Sequence, residues 1–149
     1  MANVLYYLAS GSRDPTELDK LAFALNVEGH GVTYCGKGKE LESIVDAVYC
    51  TRPKNIMLED KNGKYTQRLF AYDFLIYDLR DSSNVEELLE IDLTDMVHIS
   101  TDFPVLLIHK DFLPQHVENT IRDSYIHSKF GDPSHPEIIN LINNLKLNY

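Results

Sequence analysis

Cysteine is scarce: Cys35 and Cys50 are the only two thiols in 149 residues. Neither their number nor their separation suits a disulfide framework or a zinc cluster. The chain therefore fits a reducing compartment, and both thiols read as small buried hydrophobes rather than redox groups. Long apolar runs are missing as well. Residues 1–9 have neither the basic start nor the extended apolar region of a secretory signal, and no stretch approaches the roughly 18 continuous apolar residues of a membrane span. The expectation is a cytoplasmic protein with no membrane contact.

Positive charge is also in short supply. Fourteen Lys and Arg face 23 Asp and Glu, a formal charge of −9, and no basic cluster offsets it locally. Repulsion from phosphate backbones argues against general nucleic-acid binding, whereas a small anionic metabolite held at a helix N-terminus stays compatible. The acidic excess can equally serve solubility alone. Several motifs are absent. Without GxGxxG or GxxxxGK[ST] there is no dinucleotide fingerprint and no triphosphate loop. His30, His98, His109, His116, His127 and His135 are dispersed, with no HExxH, so neither a catalytic metal nor a cofactor is expected. Ser12 has no GxSxG elbow around it, which leaves a hydrolase triad without support.

What is present suits an α/β domain spanning residues 1–149. The apolar class makes up 44% of the chain, enough to bury a single core. Residues 4–9 form a short apolar and aromatic run of the kind found in a strand covered on both faces. Ser10-Gly11-Ser12-Arg13-Asp14-Pro15 stops it, and residues 16–25 place Leu18, Leu21, Ala22 and Leu25 on one helical face, closed by Gly29. Residues 31–35 read as a second strand, giving a parallel crossover unit. A helix over 40–49 follows. Residues 55–59 suit a strand, with Asn62-Gly63 as a hairpin signal, although a helical start there is the competing reading. Residues 73–79 are a further buried strand. Asn84 and Glu87 can cap the helix beginning at Val85. Residues 104–109 form an inner strand, 113–127 a helix and 136–147 a terminal helix, with 131–136 a loop. The expected fold is α/β: one doubly wound, mostly parallel sheet flanked by helices.

In such sheets ligands gather beyond the carboxyl ends of the strands, where strand order reverses. Two segments qualify, residues 10–14 and 78–86, and they face one another only if their strands are adjacent. Gly11 permits close backbone approach, Ser12 offers a hydroxyl and Arg13 can hold an oxyanion bidentately. An ordinary turn with a solvated Arg13–Asp14 pair is the alternative. Asp78, Asp81, Glu86 and Glu87 can bind ribose hydroxyls or act on an anomeric carbon, or can serve as loop and helix-terminal charges. His109, at a strand end, suits acid/base work or a hydrogen-bonded structural role. Tyr6, Tyr7, Tyr34 and Tyr77 read as core aromatics, one of which could stack on a base.

The run Tyr6-Tyr7-Leu8-Ala9-Ser10-Gly11-Ser12-Arg13, followed by a helix and by Asp73-Phe74-Leu75-Ile76-Tyr77-Asp78-Leu79, resembles nucleoside 2-deoxyribosyltransferases and related nucleotide N-glycoside hydrolases. The resemblance implies a Rossmann-like nucleotide-binding transferase or hydrolase, often a homo-oligomer, that takes a small nucleoside or nucleotide and cleaves or transfers at its N-glycosidic bond. On that reading Gly11, Ser12 and Arg13 form the first ligand loop, with Asp81 a further ligand-binding residue. Asp78 positions sugar hydroxyls and Glu86 is the nucleophile. The family's glycine-containing approach to its nucleophile is absent from Ser82-Ser83-Asn84-Val85-Glu86, and the spacing is shorter. The alternative is therefore a non-enzymatic domain that binds a small ligand or a protein, whether a cellular or a phage partner. The opening through His30-Gly31-Val32 also resembles the amino-terminal half of two-domain nucleotide-sugar glycosyltransferases, which would need a second domain for the donor.

Overall fold

Four further short strands, with helices between them, assemble with β1 (Asn3–Leu8) into the main sheet. A computed structural model describes residues 2–9, 15–36, 56–59, 65–68, 72–80 and 85–147. In chain order β1 leads to α1 (Pro15–Val27), β2 (Gly31–Gly36), β3 (Ile56–Glu59), β4 (Tyr65–Arg68) and β5 (Phe74–Asp78). Then come α2 (Val85–Ser100), β6 (Val105–His109), α3 (Gln115–Arg122), β7 (Ile126–Phe130) and α4 (His135–Leu147). Five strands form one parallel sheet in the order β2-β1-β5-β6-β7, while β3 and β4 pair antiparallel in a small separate sheet. The α/β, doubly wound fold expected from the residue pattern is the fold observed.

Strand alternation sorts the core into two layers. Val4, Tyr6, Phe74, Ile76, Leu106 and Ile108 point to one face, where Leu21 and Leu25 of α1 and Ile138 and Ile142 of α4 cover them. Leu5, Tyr7, Leu75, Tyr77, Val105 and Leu107 point to the other, beneath Leu89, Met96 and Ile99 of α2 and Val117 and Ile121 of α3. A strand buried on both faces needs an unbroken apolar run, and β5 and β6 are buried at every position.

Helix α1 ends in a Schellman motif. Gly29 adopts φ +84°, the His30 amide donates to the Leu25 carbonyl over 2.8 Å and the Gly29 amide donates to the Asn26 carbonyl over 3.0 Å. The turn delivers His30 to the amino end of the sheet. There the Ala2 amide donates to His30 Nδ1 at 2.8 Å, so Nε2 carries the proton and donates to Asn143 Oδ1 of α4, also at 2.8 Å. Asp73 ties the same end: it accepts the Asn3 amide at 2.6 Å and pairs with Lys146 Nζ at 3.1 Å.

One expectation changes. The helix anticipated over 113–127 stops at Arg122, and residues 126–130 instead form β7, an edge strand. Asp123 occupies the C-cap position, and the turn that follows redirects the chain into the sheet beside β6. Of the ambiguous segment 55–59, Ile56–Glu59 form a strand, and its antiparallel pairing with β4 agrees with the hairpin expectation. The Asn62-Gly63 turn and the helix anticipated over 40–49 lie outside the described residues. Among the described residues, no helix is long and apolar enough to cross a membrane.

Replacing His30 by Ala strands the Ala2 amide and the Asn143 amide oxygen without a ring nitrogen. The expected loss is about 2 kcal/mol, read as a lower urea midpoint at unchanged slope.

Candidate functional site

Strands β1 and β5 are neighbours, with Leu8 opposite Asp78 in the parallel register, so the turns that follow them leave the same end of the sheet side by side. The Ala9 amide closes this end by donating to the Asp78 carbonyl at 3.0 Å. Asp78 shares a face with Tyr6 and Ile76, and its side chain is only 2% exposed. A carboxylate buried in this way must be satisfied by protein donors. Oδ1 accepts the Arg80 amide at 3.0 Å and Arg80 Nε at 3.1 Å. Oδ2 accepts the Tyr6 hydroxyl at 2.8 Å and Arg80 Nη2 at 2.9 Å. Nη2 also donates to the Tyr6 hydroxyl oxygen at 3.0 Å.

The ionisation follows from these contacts. Burial alone would raise the Asp78 carboxyl, but hydrogen bonds and charge from Arg80, with the Tyr6 hydroxyl, outweigh it and hold the group below its ordinary value. Burial likewise pulls the Arg80 guanidinium down, and Asp78 more than reverses the effect. From the far side Arg80 Nη1 reaches Asp132 Oδ1 at 3.1 Å, and Lys110 Nζ takes Asp132 Oδ2 at 2.9 Å. The Lys110 hydrogen bond is the main reason Asp132 lies below its usual value despite its exposure.

This constellation forms one wall of a cleft of about 430 Å³. Tyr6 and Arg80 line it, together with Glu17 of α1 and Asp132, Ser134 and His135 at the start of α4. Leu18, Leu21 and Ile138 contribute its apolar surface. Gly131, at φ +99°, turns the chain into this wall and donates its amide to the His109 carbonyl at 2.8 Å. Ser134 and Glu137 form a loose capping box at the head of α4, so that helix end already faces a carboxylate of its own chain. His135 Nε2 lies 3.7 Å from Glu17 Oε2 across the cleft. Behind it, the Tyr34 hydroxyl donates to the Leu18 carbonyl at 2.8 Å, and burial, then the charge of Asp19, pushes its pKa up to about 12.

Of the residues expected to carry function, Asp78 stands at the end of β5 as anticipated. Glu86 lies in the first turn of α2, and its side chain lies outside what is described. Gly11, Ser12, Arg13 and Asp81 also fall outside the described residues. His109 is buried, with Nδ1 2.9 Å from the Asp111 carbonyl, as in a structural histidine. The residues that sequence reasoning missed are Arg80 and the 132–135 wall. Arg80 had a local signal, a cation two positions after a strand-end acid; Asp132 had none, being 52 positions away.

No family model and no curated protein matches this chain. Among solved structures it is similar to a response regulator protein from Burkholderia multivorans, at 16% identity and TM-score 0.51 over 97% of this chain and 95% of that one. It is also similar to a pilus assembly-related protein from Burkholderia pseudomallei, at 14% identity and TM-score 0.56 over 97% and 90%. A third likeness, to a fusion carrying a trimeric coiled-coil segment of yeast Spc42, has 14% identity and TM-score 0.53 over 100% and 81%. At these identities the likeness is one of fold.

Because the folded-state value of Asp78 lies below the ordinary 3.8, its stabilisation is in place above that value and is lost as pH falls through the folded one. Asp78→Asn should flatten that part of the acid dependence. It should also cost about 3 kcal/mol at neutral pH, because Arg80 is left buried beside a neutral amide. Urea unfolding across the acid range reads both.

Proposed function

We propose that the chain is a non-enzymatic α/β domain that binds a small, hydroxyl-rich molecule of nucleoside size in the cleft beside β1 and β5. The observation that carries this reading is the engagement of Asp78. Both of its oxygens are taken by Tyr6 and Arg80, so the acid works as an anchor and the Arg80 guanidinium is the group fixed at the cleft wall. The edge of a fixed guanidinium, Ser134 and His135 beside an apolar surface suit hydroxyl and ring recognition. Among the described lining residues two carboxylates, Glu17 and Asp132, face the single guanidinium, and Glu137 caps α4. That balance favours an uncharged nucleoside over its phosphate. Fold neighbours described as a response regulator and a pilus assembly-related protein fit a domain that works by binding. The glycosidic reading keeps Glu86 as nucleophile and Gly11, Ser12, Arg13 and Asp81 as ligand contacts, and it is separated from binding by the same experiment.

Calorimetric titration with a panel of nucleosides and their 5′-phosphates, with chromatography of each mixture for free base, tests both. Binding without base release is expected, weakened about tenfold or more by the phosphate and by His135→Trp, which fills the cleft mouth. Base release abolished by Glu86→Gln would instead establish glycosidic chemistry, and no binding across the panel would sink the ligand reading.

A further inference from the structure

Away from the cleft, the β7 side of the sheet carries a second and larger concavity, about 780 Å³, between α3 and the strand. Strand β7 is last in the sheet order and pairs only with β6 among the described strands. Its His127, Ser128 and Phe130 are exposed. At one end Phe112, 90% exposed, stacks on Phe130, 56% exposed, with ring centroids 5.8 Å apart, and Phe130 packs edge-on against His109 at 5.5 Å. Two aromatic rings ordered against each other in water present apolar area that a partner can cover.

Helix α3 identifies the partner. It buries only Val117 and Ile121, and Glu118 and Arg122 line the groove one turn apart. Among the described residues neither is in an ion pair. Arg122 donates instead to Asn119 Oδ1 on its own helix. Opposite charges spaced by a single turn on a free helix face are self-complementary. If α3 of one copy runs antiparallel to α3 of another about a two-fold axis, Glu118 meets Arg122 of the second copy and Arg122 meets its Glu118. One pair of residues then yields two ion pairs, the signature of an isologous contact. The charge of the whole chain points the same way. At −9, two copies repel and must meet where the surface is locally balanced. The described lining of this groove holds one carboxylate and one guanidinium.

The geometry points to the α3–β7 face, with Phe112 and Phe130 as its aromatic anchors, as a two-fold interface that docks a second copy of this chain through reciprocal Glu118–Arg122 pairs. All of these side chains are exposed, so their substitution leaves the core intact.

Sedimentation equilibrium of the full chain over a concentration series tests the proposal. A monomer–dimer equilibrium is expected. Glu118→Arg and Arg122→Glu, each placing like charges opposite one another, should weaken the dimer by about tenfold or more, and the double exchange E118R/R122E should restore it. Phe112→Ser should weaken it without altering the thermal midpoint at concentrations where the chain is monomeric. A monomer at every concentration would overturn the proposal and leave the face to some other partner. A dimer indifferent to the single reversals, or one that the double exchange fails to rescue, would overturn it equally.

Discussion

Everything at the candidate site depends on β1 and β5 lying side by side and parallel. With Leu8 opposite Asp78, the two strands end at the same height. The chain then leaves β1 for α1 on one face of the sheet and leaves β5 for α2 on the other, as the two core layers show. A crevice must open between departures to opposite sides, which is why doubly wound sheets place their ligands there. Had the strand order been sequential, both connections would have crossed the same face and covered the end of the sheet.

Within that crevice, burial decides the role of each group. A carboxylate taken out of water at the end of β5 is stable only when donors surround it, and Arg80 and Tyr6 supply them. The pair contributes little net stability over an apolar substitute, since desolvation offsets most of the Coulomb attraction. Its gain is positional. The flexible arginine side chain is held with its guanidinium in one plane, and Asp132 and Lys110 extend that order along the same wall of the cleft. The other face has a matching device in Tyr77, buried beneath α2, whose hydroxyl donates to Asp92 at 2.5 Å. Burial and the Asp92 carboxylate push its ionisation far above the tyrosine range.

The strands buried on both faces could be read directly from the residues, because 4–8, 74–78 and 105–108 have no polar interruption before their ends. The helices with a Gly or Pro at a boundary were legible too: Pro15 opens α1 and Gly29 closes it. Strand β7 was hidden because only Ile126 of its five residues is buried, so no alternation marks it and the segment reads as the tail of the preceding helix. The site was legible in part. An acid closing a buried run marks a strand end, and Asp78 was found that way. Tyr6 passed for a core aromatic, because its ring does pack in the core and only its hydroxyl reaches Asp78. Its pairing with Arg80 spans 74 positions, and no local pattern encodes such a distance.

His30 joins the first residues of the chain to the last helix, with Ala2 on one ring nitrogen and Asn143 on the other. Asp73 and Lys146 repeat that link at the same edge. During synthesis the β1–α1–β2 unit emerges long before Asn143 and Lys146 exist, so its amino edge leaves the ribosome unlatched. The fastening closes only when α4 docks, which makes this helix a late step in assembly and gives the nascent chain an interval in which chaperones can reach the open edge.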